Sequence, residues 1–132
     1  MTQKIIPINL TPGEVTLGEL RQFYTGHAPF NLNHSAWVNI DISCKAVADI
    51  VAKGDAAYGI NTGFGLLAQT RIADDQLALL QRNLVLSHCT GVGKLIDSAG
   101  VRLIIALKII SLSHGYSGVR PEVVQLLILQ YW

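Results

Sequence analysis

Charge is scarce in this chain. Of its 132 residues only 14% are Asp, Glu, Lys or Arg, and they balance to a formal net charge of +1. No basic cluster stands anywhere, so the electrostatic footprint of a nucleic-acid binder is missing. Cysteine is nearly absent. Cys44 and Cys89 stand alone, in no CxxC or zinc spacing, which excludes a disulfide framework. The histidines at 27, 34, 88 and 114 form no pair at metal-ligand spacing, and no metal is assigned. The most apolar run, Leu103 to Leu112, is broken by Lys108 and is too short to span a bilayer. Met1-Thr2-Gln3-Lys4 leads into a short apolar patch ended by Pro7, which is not the pattern of a secretory leader. The expectation is a cytoplasmic protein with neither membrane nor nucleic acid among its partners. Nucleophile-elbow, Walker and dinucleotide-binding fingerprints are also missing.

What the chain has in abundance is apolar surface. Half of its residues are hydrophobic and the mean hydropathy is +0.38. That implies helices buried on more than one side, in a larger protein or an oligomer. The length suits one domain. In order, Ile5 to Leu10 reads as a short extended segment turned by Thr11-Pro12-Gly13. Thr16 and Glu19 have capping-box spacing and open a helix to about Tyr24, stopped by Gly26. Residues 27–39, with Pro29, Asn31, Asn33 and Asn39, read as a loop. Asp41 is expected to cap a second helix bearing Val47, Ile50 and Val51, ended by Gly54. Asp74 and Asp75 put negative charge at the start of a third helix, which runs to about Cys89. Ser98 opens a fourth, stopped by Gly115. Pro121-Glu122 begins a fifth, apolar around its whole circumference as far as Trp132. The fold class expected is mainly α, with at most a short N-terminal strand. The whole of 1–132 reads as the N-terminal part of a longer protein.

Two places hold chemistry. Tyr58-Gly59-Ile60-Asn61-Thr62-Gly63-Phe64-Gly65 sets a phenol, a carboxamide and a hydroxyl among three glycines. It is either a ligand loop held by the helix beyond it or a turn-rich connector anchored by Tyr58 and Phe64. The second place is His88, which shares one helical face with Leu77, Leu80 and Leu84. It is either a packed core histidine or a polar group at the end of an apolar stripe, beside Ser87.

The glycine loop, with Gln81-Arg-Asn-Leu-Val-Leu-Ser-His88, resembles the aromatic amino acid ammonia-lyases, most closely the histidine-type enzymes. Arg102-Leu-Ile-Ile-Ala-Leu-Lys108 and Gly115-Tyr-Ser-Gly-Val-Arg-Pro-Glu122 extend the likeness from about Thr11 onward.

The resemblance implies the helical N-terminal portion of the ammonia-lyase (fumarase/aspartase-like) fold, in a protein that forms a homotetramer. It implies elimination of ammonia from L-histidine to give trans-urocanate. The electrophile in this family is a methylidene-imidazolone formed from an internal Ala-Ser-Gly. That tripeptide does not occur in these residues; Ser98-Ala99-Gly100 has the wrong order. The resemblance makes Tyr58 the catalytic base. It assigns Ser87, His88, Asn61, Thr62, Gly63 and Phe64 to substrate binding, with the Ser87-His88 pair selecting the side chain. A lyase or aminomutase for another aromatic amino acid is an alternative that Ser87-His88 argues against. From a different class, a non-catalytic helical oligomerisation module is the other.

Overall fold

Thr16 and Glu19 close the capping box that their spacing predicts. The Glu19 carboxylate accepts from the Thr16 backbone N–H at 2.7 Å and from its hydroxyl at 2.8 Å. Thr16 Oγ1 in turn accepts from the Glu19 N–H at 3.2 Å. The bond from the Thr16 backbone, then that from its side chain, holds the Glu19 carboxyl below its ordinary range. This box opens helix α1, Leu17–Thr25, which ends at Gly26. The computed structural model describes residues 7–26 and 28–131. Met1, Thr2, Gln3, Lys4, Ile5, His27 and Trp132, all named above, lie outside the described residues.

On either side of α1 lie two short strands, β1 (Ile8–Leu10) and β2 (Phe30–Leu32). They pair in parallel, Ile8 opposite Phe30 and Leu10 opposite Leu32. The extended reading of residues 8–10 holds. β2, however, falls inside the stretch read as a loop. The second helix is corrected too. Helix α2 spans His34–Lys53 and begins well before Asp41, which lies exposed within it. Asn33, taken for a loop signal, is the cap: its Oδ1 accepts from the Ser35 N–H at 3.2 Å. The remaining helices are α3 (Leu77–His88), α4 (Ser98–Ser113) and α5 (Pro121–Tyr131). Asp97 caps α4, accepting from the Gly100 N–H at 2.6 Å. The chain is therefore mainly helical, with a two-stranded parallel sheet. None of its helices, among the described residues, is long and apolar enough to cross a membrane.

The residues gather into two units. One runs as far as Lys45 and resumes at Leu95; the other is Ala46–Lys94. The core belongs to the first. It consists of Leu10, Phe23, Phe30, Ile40, Ala106, Ile109, Leu112, Val124 and Tyr131, drawn from both strands, α1, α2, α4 and α5. Phe23, Phe30 and Tyr131 form a ring of edge-to-face contacts with centroids 5.7, 5.8 and 5.1 Å apart. Each such pair contributes about 0.5–1.5 kcal/mol beyond area burial. The Tyr131 hydroxyl donates to the Ala28 carbonyl at 3.1 Å. Burial raises the Tyr131 phenol above its ordinary pKa, against smaller lowering effects from Arg102 and the Ala28 bond. On α5, Val124 and Tyr131 are buried while Leu126 and Leu129 are exposed. The apolar circumference predicted for this helix thus leaves a bare outer face.

Candidate functional site

In the second unit the glycine loop leaves the end of α2 at Gly54 and folds back on itself. The turn begins where the Ile60 and Asn61 N–H groups both donate to the Ala57 carbonyl, at 3.1 and 3.2 Å. Gly59 has φ +74°, in the left-handed region that a side chain disfavours, and this lets the chain reverse directly after Tyr58. The returning leg is tied by Ile72 N–H to Asn61 carbonyl at 2.8 Å and by Gly63 N–H to Thr70 carbonyl at 3.0 Å. Thr62 and Arg71 face each other in an isolated antiparallel bridge. A 3-10 turn, Gly65–Leu67, forms the tip, with Leu66 fully exposed.

Within this frame the polar residues divide. Tyr58 is 67% exposed, and its ring meets Phe64 edge to face, centroids 5.9 Å apart. Asn61 and Thr62 are buried, at 0% and 1%. The Asn61 carboxamide accepts from the Ala57 N–H at 2.7 Å and donates to the Asp55 carbonyl at 2.8 Å. The Thr62 hydroxyl donates to the Gly63 carbonyl at 3.1 Å. Gly63 is sterically required. A Cβ there would lie 2.6 Å from the Leu67 Cβ and 2.9 Å from the Leu67 carbonyl oxygen. The loop therefore presents one phenol outward and turns its carboxamide and hydroxyl inward.

Arg71 is a residue that the sequence reading passed over. Its guanidinium packs against Gly54, within 3.2–3.5 Å of where a Cβ would stand. It also pairs with Asp74 at 3.5 Å across an exposed surface, a contact worth little by itself. The signal for it was slight: it is the only basic residue between Asp55 and Ala73.

A 3-10 turn, Asp74–Gln76, leads into α3. Leu77, Leu80 and Leu84 are half-buried while their neighbours on α3 are exposed, so the predicted stripe is the helix's inner face. His88 at its end is exposed rather than packed. Its Nδ1 lies 2.8 Å from the Leu84 carbonyl, and Ser87 Oγ donates to that same carbonyl at 2.9 Å while standing 3.0 Å from Nδ1. A carbonyl can only accept, so the contact with Leu84 is a hydrogen bond in the neutral tautomer that carries its proton on Nδ1. Nε2 is then an acceptor, with no hydrogen-bond partner among the described residues. No hydrogen bond or ring contact among them joins Ser87 or His88 to the glycine loop. No group of three His, Cys, Asp or Glu side chains among them could hold a metal ion.

The sequence pattern of the family described as aromatic amino acid lyase matches residues 15–131. The chain belongs to that family. It is 54% identical over 121 residues to a histidine ammonia-lyase from Burkholderia cenocepacia, a match covering 92% of this chain and 24% of the relative. Among solved structures, histidine ammonia-lyase from Trypanosoma cruzi superposes with a TM-score of 0.83 at 30% identity, over 96% of this chain and 25% of that one. Tyrosine aminomutase from Streptomyces globisporus gives a TM-score of 0.88 at 25% identity, over 96% and 24%. The chain spans about a quarter of the length of these relatives, and its helices and parallel strand pair match their N-terminal part.

Proposed function

We propose that this chain serves a lyase that eliminates ammonia from L-histidine to give trans-urocanate, supplying the catalytic loop and the side-chain selectivity region. The observation that carries this is the 54% identity to histidine ammonia-lyase across 92% of the chain. The exposed phenol of Tyr58 and the Nε2 of His88, without a hydrogen-bond partner among the described residues, support it. Tyr58 takes a proton from the carbon next to the one bearing the amine. The electron pair of that C–H bond becomes the new C=C bond as the C–N bond breaks, and ammonia departs. An ordinary phenol ionises near pH 10, so a phenol acting as base near neutrality needs help from its surroundings. Asn61, Thr62, Gly63 and Phe64 shape the loop around the substrate. His88, steadied by Ser87 and Leu84, offers Nε2 to an N–H of the substrate imidazole.

The family's methylidene-imidazolone makes the amine a leaving group. Its Ala-Ser-Gly precursor is not among these 132 residues, so in this reading it comes from the length of the relatives that the chain does not span. The 132 residues alone are accordingly inactive. Urocanate absorbance from the purified chain, free of host lyase, would overturn this. The bare faces of α5, with Leu126 and Leu129 exposed, support self-association, as in a homotetramer. Light scattering showing a monodisperse monomer would count against that. A second reading, selectivity for tyrosine, draws on the structural likeness to tyrosine aminomutase. Comparing histidine, tyrosine and phenylalanine as substrates of a full-length lyase carrying this segment decides between them.

A further inference from the structure

Asn61 makes four hydrogen bonds, and all of them stay inside its own loop. Its backbone N–H donates to Ala57 and its carbonyl accepts from Ile72. Its carboxamide accepts from the Ala57 N–H at 2.7 Å and donates to the Asp55 carbonyl at 2.8 Å. The side chain is completely buried. Tyr58 follows Ala57 directly and is largely exposed, so burial does little to fix its phenol. Two things near it are fixed: the backbone just before it, clamped by Asn61, and the Phe64 ring beside it. Gly59, immediately after it, is the residue with most conformational freedom.

We propose that Asn61 is a positioning residue whose buried carboxamide staples the Asp55–Ala57 backbone and thereby aims the Tyr58 phenol, without touching substrate. This rests on the reading of Tyr58 as the base. It adds a residue that works only through that base. The bland alternative is an amide that stabilises the loop and nothing more. The other alternative is a direct substrate ligand.

Asn61→Asp in a full-length lyase carrying this segment separates the three. It keeps the shape and the acceptor facing the Ala57 N–H but sets a carboxylate against the Asp55 carbonyl. A misaimed phenol is expected to cost about 10²-fold in kcat, the usual penalty for an error of about 1 Å, with KM for histidine nearly unchanged. In a Tyr58→Phe background the same substitution should cost almost nothing further, because the group it aims is gone. Losses that multiply in the double variant overturn the inference while leaving Tyr58 as base. A raised KM with unchanged kcat also overturns it, in favour of a substrate ligand, and an unchanged kcat with a lowered melting temperature leaves Asn61 as loop stabiliser alone. Should Tyr58→Phe by itself be silent, the reading of the base fails first and the inference with it. Hydrogen–deuterium exchange on the unsubstituted enzyme needs no variant to fold. The Ala57 amide should be protected, and exchange at the rate of an open peptide would overturn the staple.

Discussion

Tyr58 and Phe64 meet edge to face at 75°, their ring centroids 5.9 Å apart, across the turn that separates them. The contact joins the two aromatic residues of the glycine loop, yet leaves the phenol largely in solvent. Phe64 thus works as a side support, and the Tyr58 hydroxyl is the polar group that the loop presents.

Replacing Tyr58 with Phe keeps that ring contact and removes only the hydroxyl. In a full-length lyase carrying this segment, kcat should fall by about 10²–10⁴-fold, the usual contribution of a general acid or base. Melting temperature should hardly move. Near-normal turnover would reduce Tyr58 to an anchor.

His88→Leu preserves much of the bulk but removes the Nε2 acceptor. On the reading that Nε2 pairs with the substrate imidazole, a substrate N–H left unpaired costs about 1–3 kcal/mol, or about 5- to 150-fold in kcat/KM for histidine. The relative preference for phenylalanine or tyrosine should rise. Competition assays check this, and an unchanged ratio among the three amino acids would sink it.

Gly63→Ala adds one methyl group where Leu67 already stands. Overpacking of this kind costs about 1–3 kcal/mol. It should push the Gly65–Leu67 turn outward and loosen the bond from the Gly63 N–H to Thr70. Faster amide exchange between residues 61 and 72 is the expected readout. A loop that exchanges at the unsubstituted rate would show that the methyl is accommodated.

Tyr131 predicts an alkaline weakness. Its phenol is raised by burial in the folded state, so below a pH of about 10 both folded and unfolded chains keep the proton. As pH rises through that value the unfolded chain releases its proton first, and stability falls until the folded phenol also ionises. Thermal melts between about pH 8 and 11 should show the decline. Tyr131→Phe, less stable at neutral pH for want of the Ala28 bond, should decline less steeply. Equal slopes in the two proteins would remove Tyr131 as the cause.

Much of this architecture was legible because its signals are local. Thr16 with Glu19, Asp74 with Asp75, and Pro121 with Glu122 each mark a helix start within a few residues. What escaped depends on distance or context. Asn33 has the same composition signal as a loop and as a helix cap, and only the chain that follows decides between them. β2 could not be seen because its hydrogen bonds go to β1, across the whole of α1. In the candidate site, the three glycines and the phenol drew attention to the loop, and the apolar stripe to His88. The inward turn of Asn61 did not show, since a carboxamide declares its capacity to bond but not its partners. The approach of His88 Nδ1 to the Leu84 carbonyl was equally hidden in the sequence.

The bond from Tyr131 to Ala28 has a consequence for how this polypeptide comes into being. A ribosome delivers Phe23 and Phe30 early, but the third ring of their cluster emerges about a hundred residues later. Residues 46–94, by contrast, have their partners close at hand in sequence, as with Asn61 and Ala57 or Ile72. The loop region can therefore acquire its shape while the aromatic cluster is still open to solvent. In that interval the nascent chain carries a bare apolar surface, the kind that chaperones hold. A message truncated before α5 would leave that surface permanently uncovered, and its product should meet proteases rather than fold.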